Sequence, residues 1–142
     1  MKEIKDEIRK LIVEERRLYR EMERIYGQVV LLEKSINEVK NATVTLREIK
    51  MGKDVEGNML FPIGGGIFVF GVLADRSKVL VNIGANVYLS KTVEDALKLL
   101  NENYNFLSKT RSDLLKILNQ LRRRHDEIAT KIMEYQASVG GR

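Results

Sequence analysis

The sequence predicts an α+β fold that is mainly α: a long antiparallel two-helix coiled coil whose arms are joined by two β-hairpins. Three observations lead there. Apolar residues step by four and three through the N-terminal arm and again through the C-terminal arm. The stretch between them changes period and is rich in β-branched and aromatic side chains. The two arms are equal in length, so each can bury the other's seam.

The first arm runs through Ile4, Ile8, Leu11, Glu15, Leu18, Met22, Ile25, Val29, Leu32, Ile36, Val39, Thr43 and Leu46 without a slip. Only Glu15 and Thr43 depart from apolar character. This is a heptad pattern sustained over six repeats, and Gly27 falls outside its seam. The second arm repeats it through Val93, Leu97, Leu100, Tyr104, Leu107, Arg111, Leu114, Leu118, Leu121, His125, Ile128, Ile132, Tyr135 and Val139. Thr92 suits an N-cap, with Glu94 and Asp95 in the positive first turn. Gly140-Gly141 is expected to end this helix. Each arm covers about 46 residues, roughly 70 Å of helix. An antiparallel register sets Glu15 near the level of Arg124 and His125, either meeting those bases or snorkelling to solvent.

Gly52 and Gly57 should stop the first helix. The run MLFPIGGGIFVFGVL, residues 59–73, then raises a question: the most apolar stretch in the chain is broken by Pro62 and by Gly64-Gly65-Gly66. Strand signals sit at 67–70, 78–83 and 86–89, separated by Ala74-Asp75-Arg76-Ser77 and by Gly84-Ala85. Pro62 confines its own strand to an edge or an end. The glycine triplet permits positive φ and a tight reversal. It is no phosphate cradle, because a strand follows where a nucleotide loop needs a helix. Both strand faces read as apolar, Phe68 and Phe70 on one and Ile67 and Val69 on the other. Four such strands cannot enclose a core. An intersubunit joint is therefore expected, drawing on Leu60, Phe61, Ile63, Ile67, Phe68, Val69, Phe70, Val79, Val81, Ile83, Val87 and Leu89.

With 142 residues, the chain is read as a single domain, 1–142: an N-terminal helix at 1–51, hairpins at 58–90 and a C-terminal helix at 92–139. It contains no Cys, which precludes a disulfide framework and suits a cytoplasmic setting. The N-terminus alternates charge with single aliphatics and reads as no signal peptide. The apolar run is too short and too broken to span a membrane. The net charge is +5, with bases and acids interspersed; Arg122-Arg123-Arg124 is the one dense basic cluster. That mixture reads as a solvated helix surface with no nucleic-acid partner. A single His at a seam position and scattered carboxylates point to no enzyme, no metal and no cofactor.

The order helix, two hairpins, helix, together with Leu60-Phe61-Pro62-Ile63-Gly64-Gly65-Gly66, Lys78-Val79-Leu80-Val81-Asn82-Ile83-Gly84-Ala85, Tyr88 and the Glu94–Ala96 helix start, resembles the α-type subunits of the prefoldin family. The resemblance covers the whole chain. It implies hairpins assembled into an intersubunit β-barrel platform, with α-type and β-type subunits together and coiled coils hanging from it. It also implies an ATP-independent chaperone whose tips hold unfolded proteins and pass them to a group II chaperonin. The tips here would be Met1, Ile4, Ile8, Leu11 and Ile12 with Ile128, Ile132, Met133, Tyr135 and Val139. Two features depart from the family pattern: the basic charge balance and the apolar Phe70-Gly71-Val72-Leu73. They leave room for assembly with copies of itself, and for a structural coiled-coil protein that builds a scaffold or filament through the same joint.

Overall fold

The computed structural model describes residues 2–52 and 59–140. Helix α1 spans Lys2–Met51, strands β1 and β2 span Met59–Gly64 and Ile67–Gly71, β3 and β4 span Lys78–Asn82 and Tyr88–Thr92, and helix α2 spans Val93–Gly140. The chain forms two units. A terminal unit runs to Ser35 and resumes at Leu107; a hairpin unit runs from Ile36 to Phe106.

In the terminal unit the heptad seam is buried as the spacing demands. Leu11, Leu18, Ile128 and Ile132 form one buried cluster, with Ile12, Leu121 and Tyr135 packed on it. Ile25, Val29 and Leu118 form another, flanked by Met22, Leu114 and Leu115. The helices run antiparallel: Glu14 pairs with Arg124 at 3.4 Å, Glu15 with His125 at 3.5 Å and Glu33 with Arg111 at 2.9 Å. His125 is thus level with Glu15, midway between Leu11 and Leu18. Arg124 takes Glu14 in place of Glu15, because Glu14 lies beside the seam and Arg124 flanks it on the same side. Arg111 answers its own seam position by turning its guanidinium out to Glu33. Leu18→Ala or Leu118→Ala should cost about 2–5 kcal/mol if fully buried, and less in this thin, solvent-flanked seam. Urea unfolding followed by helical circular dichroism would measure it.

In the hairpin unit Ile36, Val39, Val93 and Ala96 are buried. Lys50 meets Glu94 at 3.6 Å, and the Lys40 ammonium sits 5.7 Å from the centre of the Tyr104 ring, so the helices are antiparallel here also. Gly52 closes α1 with φ at 67° and donates its N–H to the Ile49 carbonyl, a left-handed helix cap. Gly57 and Gly141, the other expected stops, lie outside the described residues; α2 itself continues through Gly140. Thr92 caps α2 through its hydroxyl, which accepts the Asp95 N–H at 3.1 Å.

The four expected strands form two separate two-stranded antiparallel sheets, β1–β2 and β3–β4. Pro62 pairs with Phe68, at an edge as a proline requires. The register shifts between Pro62 and Gly64, and all three glycines of the reversal adopt positive φ. The fourth strand departs from expectation. It begins at Tyr88, after the Asn86–Leu89 segment has started, and runs to Thr92, past the expected end of the hairpins at residue 90. Ala85 and Asn86 take positive φ in the turn, so Asn86 cannot open a strand.

Candidate functional site

The candidate site begins with the first hairpin. Leu60 pairs with Phe70 and Pro62 with Phe68, which places these four on one face. Phe61 pairs with Val69 on the other face, Met59 with Gly71 beside them. Phe70 is 75% exposed, and Leu60, Ile63, Ile67, Phe68 and Val69 are exposed too. Both faces are therefore apolar and uncovered by the other described residues. Phe61 is the exception and is half-buried. Its ring lies across Gly71, where an added Cβ would sit 2.7 Å from a ring carbon. Glycine at 71 thus lets an aromatic ring lie flat on the neighbouring strand.

In the second hairpin Val79 and Val81 are half-buried, whereas Leu89, which pairs with Val81, is exposed, as are Ile83 and Val87. Three exposed apolar residues were missing from the sequence-derived joint: Leu80, Val72 and Tyr88, with Leu80 70% exposed. The unbroken run Val79-Leu80-Val81 was the available signal, since consecutive apolar residues in a strand serve both faces. Strand β3 also borders an apolar groove of about 930 Å³, whose walls include Leu46, Ala96, Leu99 and Leu100.

The turn into β3 is held by Asp75, whose carboxylate accepts the Ser77 N–H at 2.7 Å and the Ser77 hydroxyl at 2.6 Å. The side-chain and backbone hydrogen bonds from Ser77 hold the Asp75 carboxyl below the usual carboxylate range. A carboxyl depressed in the folded state stabilises the fold above its unfolded-state pKa, and that contribution is lost as pH falls through the folded value. Ser77→Ala should therefore move the Asp75 titration midpoint upward, measured by NMR on the side-chain carboxyl carbon. An unmoved midpoint would remove the Ser77 hydroxyl as a cause.

The expected client-holding residues lie in the terminal unit and differ sharply in exposure. Ile128 is 1% exposed, and Leu11 and Ile132 are buried with it. Ile4, Ile8, Ile12 and Tyr135 are half-buried. Met133, 69% exposed, and Val139 are open to solvent. Met1 lies outside the described residues. Among the described residues no group of three His, Cys, Asp or Glu could hold a metal ion, and no helix is long and apolar enough to cross a membrane.

Residues 18–138 match the prefoldin subunit family. The chain belongs to the prefoldin family. It is similar to prefoldin subunit alpha of Pyrococcus horikoshii, 25% identical over 130 residues, covering 92% of this chain and 88% of that one. Prefoldin subunit alpha of Methanopyrus kandleri is 32% identical over 102 residues, 70% of this chain and 63% of that one. Among solved structures, the fold is shared with filamentous PFD from Methanocaldococcus jannaschii, determined by cryo-EM. That comparison has a TM-score of 0.67 at 20% identity and covers 82% of this chain and 95% of the other. Prefoldins are chaperone subunits rather than enzymes, and they assemble with other prefoldin subunits. The chain's role is of this chaperone type.

Proposed function

We propose that this prefoldin subunit joins other subunits through its two hairpins in a β-barrel platform and holds unfolded proteins at its helix ends. The partners are β-type subunits or copies of the same chain. Release is to a group II chaperonin, without ATP, in the cytoplasm. The observation that carries the reading is the first hairpin: Leu60, Phe68 and Phe70 exposed on one face, Ile67 and Val69 on the other. An isolated two-stranded hairpin is marginal in water. One with two apolar faces gains stability only when other strands cover it.

At the helix ends each client contact is weak. Several subunits on one platform would raise the effective concentration of such contacts. Met133 offers an adaptable, polarizable side chain for unrelated sequences. Native mass measurement of the purified chain, followed by light scattering of a chemically unfolded client, tests both halves. The expected result is an oligomer that suppresses client aggregation. A monomer that also fails to assemble when mixed with a β-type subunit would overturn the assembly half.

A second reading is a scaffold or filament built through the same joint. The filamentous assembly of the Methanocaldococcus jannaschii protein that shares this fold supports it. Long polymers that give a client no protection would select that reading.

A further inference from the structure

The two flanks of the coiled coil in the terminal unit are built differently. On one side Glu7, Glu14 and Glu21 recur at heptad spacing, and two of them are laced to bases: Arg24 bonds Glu21, and Arg124 reaches both Glu14 and Glu127. This is how a solvated coil satisfies its surface. On the other side Ile12, Tyr19 and Tyr26 recur at the same spacing. Ile12 packs on the buried seam, and Tyr19 places its ring 6.3 Å from that of His125. Tyr19 and Tyr26 are both exposed. Across the seam the same flank carries Leu115 and Arg122. The pairs Glu14–Arg124 and Glu15–His125 fix the level, so Arg16 and Arg122 lie on this flank at neighbouring heights. Both are exposed, and neither makes an ion pair among the described residues. Glu23, Glu33 and Asp126 are the carboxylates on this side; Glu33 is paired with Arg111 at 2.9 Å and Asp126 is engaged with His125 at 3.4 Å.

The charge ledger agrees. Residues 1–35 and 107–142 hold 17 Lys and Arg against 12 Asp and Glu, while residues 36–106 hold 8 of each. The whole +5 therefore belongs to the segments of the terminal unit.

We propose that the Tyr19–Tyr26 flank, with Arg16 and Arg122, binds acidic, apolar-bearing segments of non-native polypeptide. The proposal rests on the chaperone reading and gives its clients a chemistry. Exposed tyrosine beside arginine is the composition of protein-binding surfaces. Guanidiniums without partners of their own supply electrostatic complementarity to carboxylates. A second copy of the same flank would set guanidinium against guanidinium, which argues against self-pairing. Interspersed Glu23 and Asp126 count against a polyphosphate.

The test uses the full-chain assembly and two fluorescent, unstructured peptides. They share their Phe and Leu positions but carry Glu in one and Lys in the other. At low ionic strength the acidic peptide should bind about tenfold tighter, from several exposed pairs acting together. The preference should shrink as salt is raised. Arg16→Glu with Arg122→Glu should invert it, while Arg16→Lys with Arg122→Lys should keep it, helicity serving as the folding control. Tyr19→Ala with Tyr26→Ala should weaken both peptides alike. Equal binding of the two peptides, or a preference unmoved by charge reversal, would overturn the proposal. So would poly(U) RNA binding more tightly than the acidic peptide. Suppression of aggregation without any acidic preference refutes the flank and leaves the chaperone role standing. An acidic preference without suppression of aggregation refutes the holding role and leaves the flank standing.

Discussion

Phe68→Asp combined with Phe70→Asp should convert the assembled protein to helical monomers. Phe68 and Phe70 share one face of the first hairpin with Leu60 and Pro62, and that face is open in the isolated chain. Covering a phenylalanine side chain is worth about 1.5–3 kcal/mol. Each aspartate would forfeit that term and bring a carboxylate into the joint, where an unpaired charge costs more than the lost burial. An oligomer repeats the loss at every interface. The variant should still fold as a coiled coil, because Leu18, Ile25, Val29, Leu118 and Ile128 take no part in the hairpin. Native mass and circular dichroism separate the two effects. A variant that keeps the parent's assembled mass would place the joint elsewhere, with the groove bordered by β3 as the next candidate.

Deleting residues 1–12 together with 129–142 should leave assembly intact and abolish most protection of an unfolded client. The deletion removes Leu11, Ile12, Ile132, Met133, Tyr135 and Val139 but spares the Ile25–Val29–Leu118 cluster and every strand. Assembly mass should fall only by the deleted residues, and helicity in proportion. Leu11 and Ile132 are buried in the intact coil, so their contribution to holding depends on fraying of the last turns. Met133 and Val139 are available without it. Protection undiminished by the deletion would move the client surface away from the helix ends. Arg16 and Arg122 survive the deletion, so a preference for acidic peptides should survive it too.

The heptad seam was legible residue by residue, because a sustained four-three spacing leaves a helix one face to bury. The seam positions of α1 are all covered in the structure, as are those of α2 apart from Val139. The hairpins were legible as elements but not in detail. Ala85 is a poor turn signal, yet it sits at positive φ beside Asn86 and delays β4 to Tyr88. The contact of Phe61 with Gly71 depends on a diagonal pairing, and composition carries no record of register. Leu80 was missed for a related reason. The expected joint drew on Val79 and Val81 on either side of it and left Leu80 out, although Leu80 is 70% exposed. The two unlike flanks of the coil were equally hidden, since interspersed charges look alike until cross-helix pairs show which are spent.

Strand β4 ends at Thr92 and α2 begins at Val93, with no residue between them. The Val93 N–H bonds to the Ser77 carbonyl at the foot of β3, the Val93 side chain is 1% exposed, and the Thr92 hydroxyl caps the same turn. Strand and helix are thus clamped at one vertex by backbone, side chain and cap together. A hairpin that twists against a neighbouring subunit must carry the first turns of α2 with it. If the hairpin pairs with another subunit, this vertex is the lever through which torque on β4 reaches the first turns of α2.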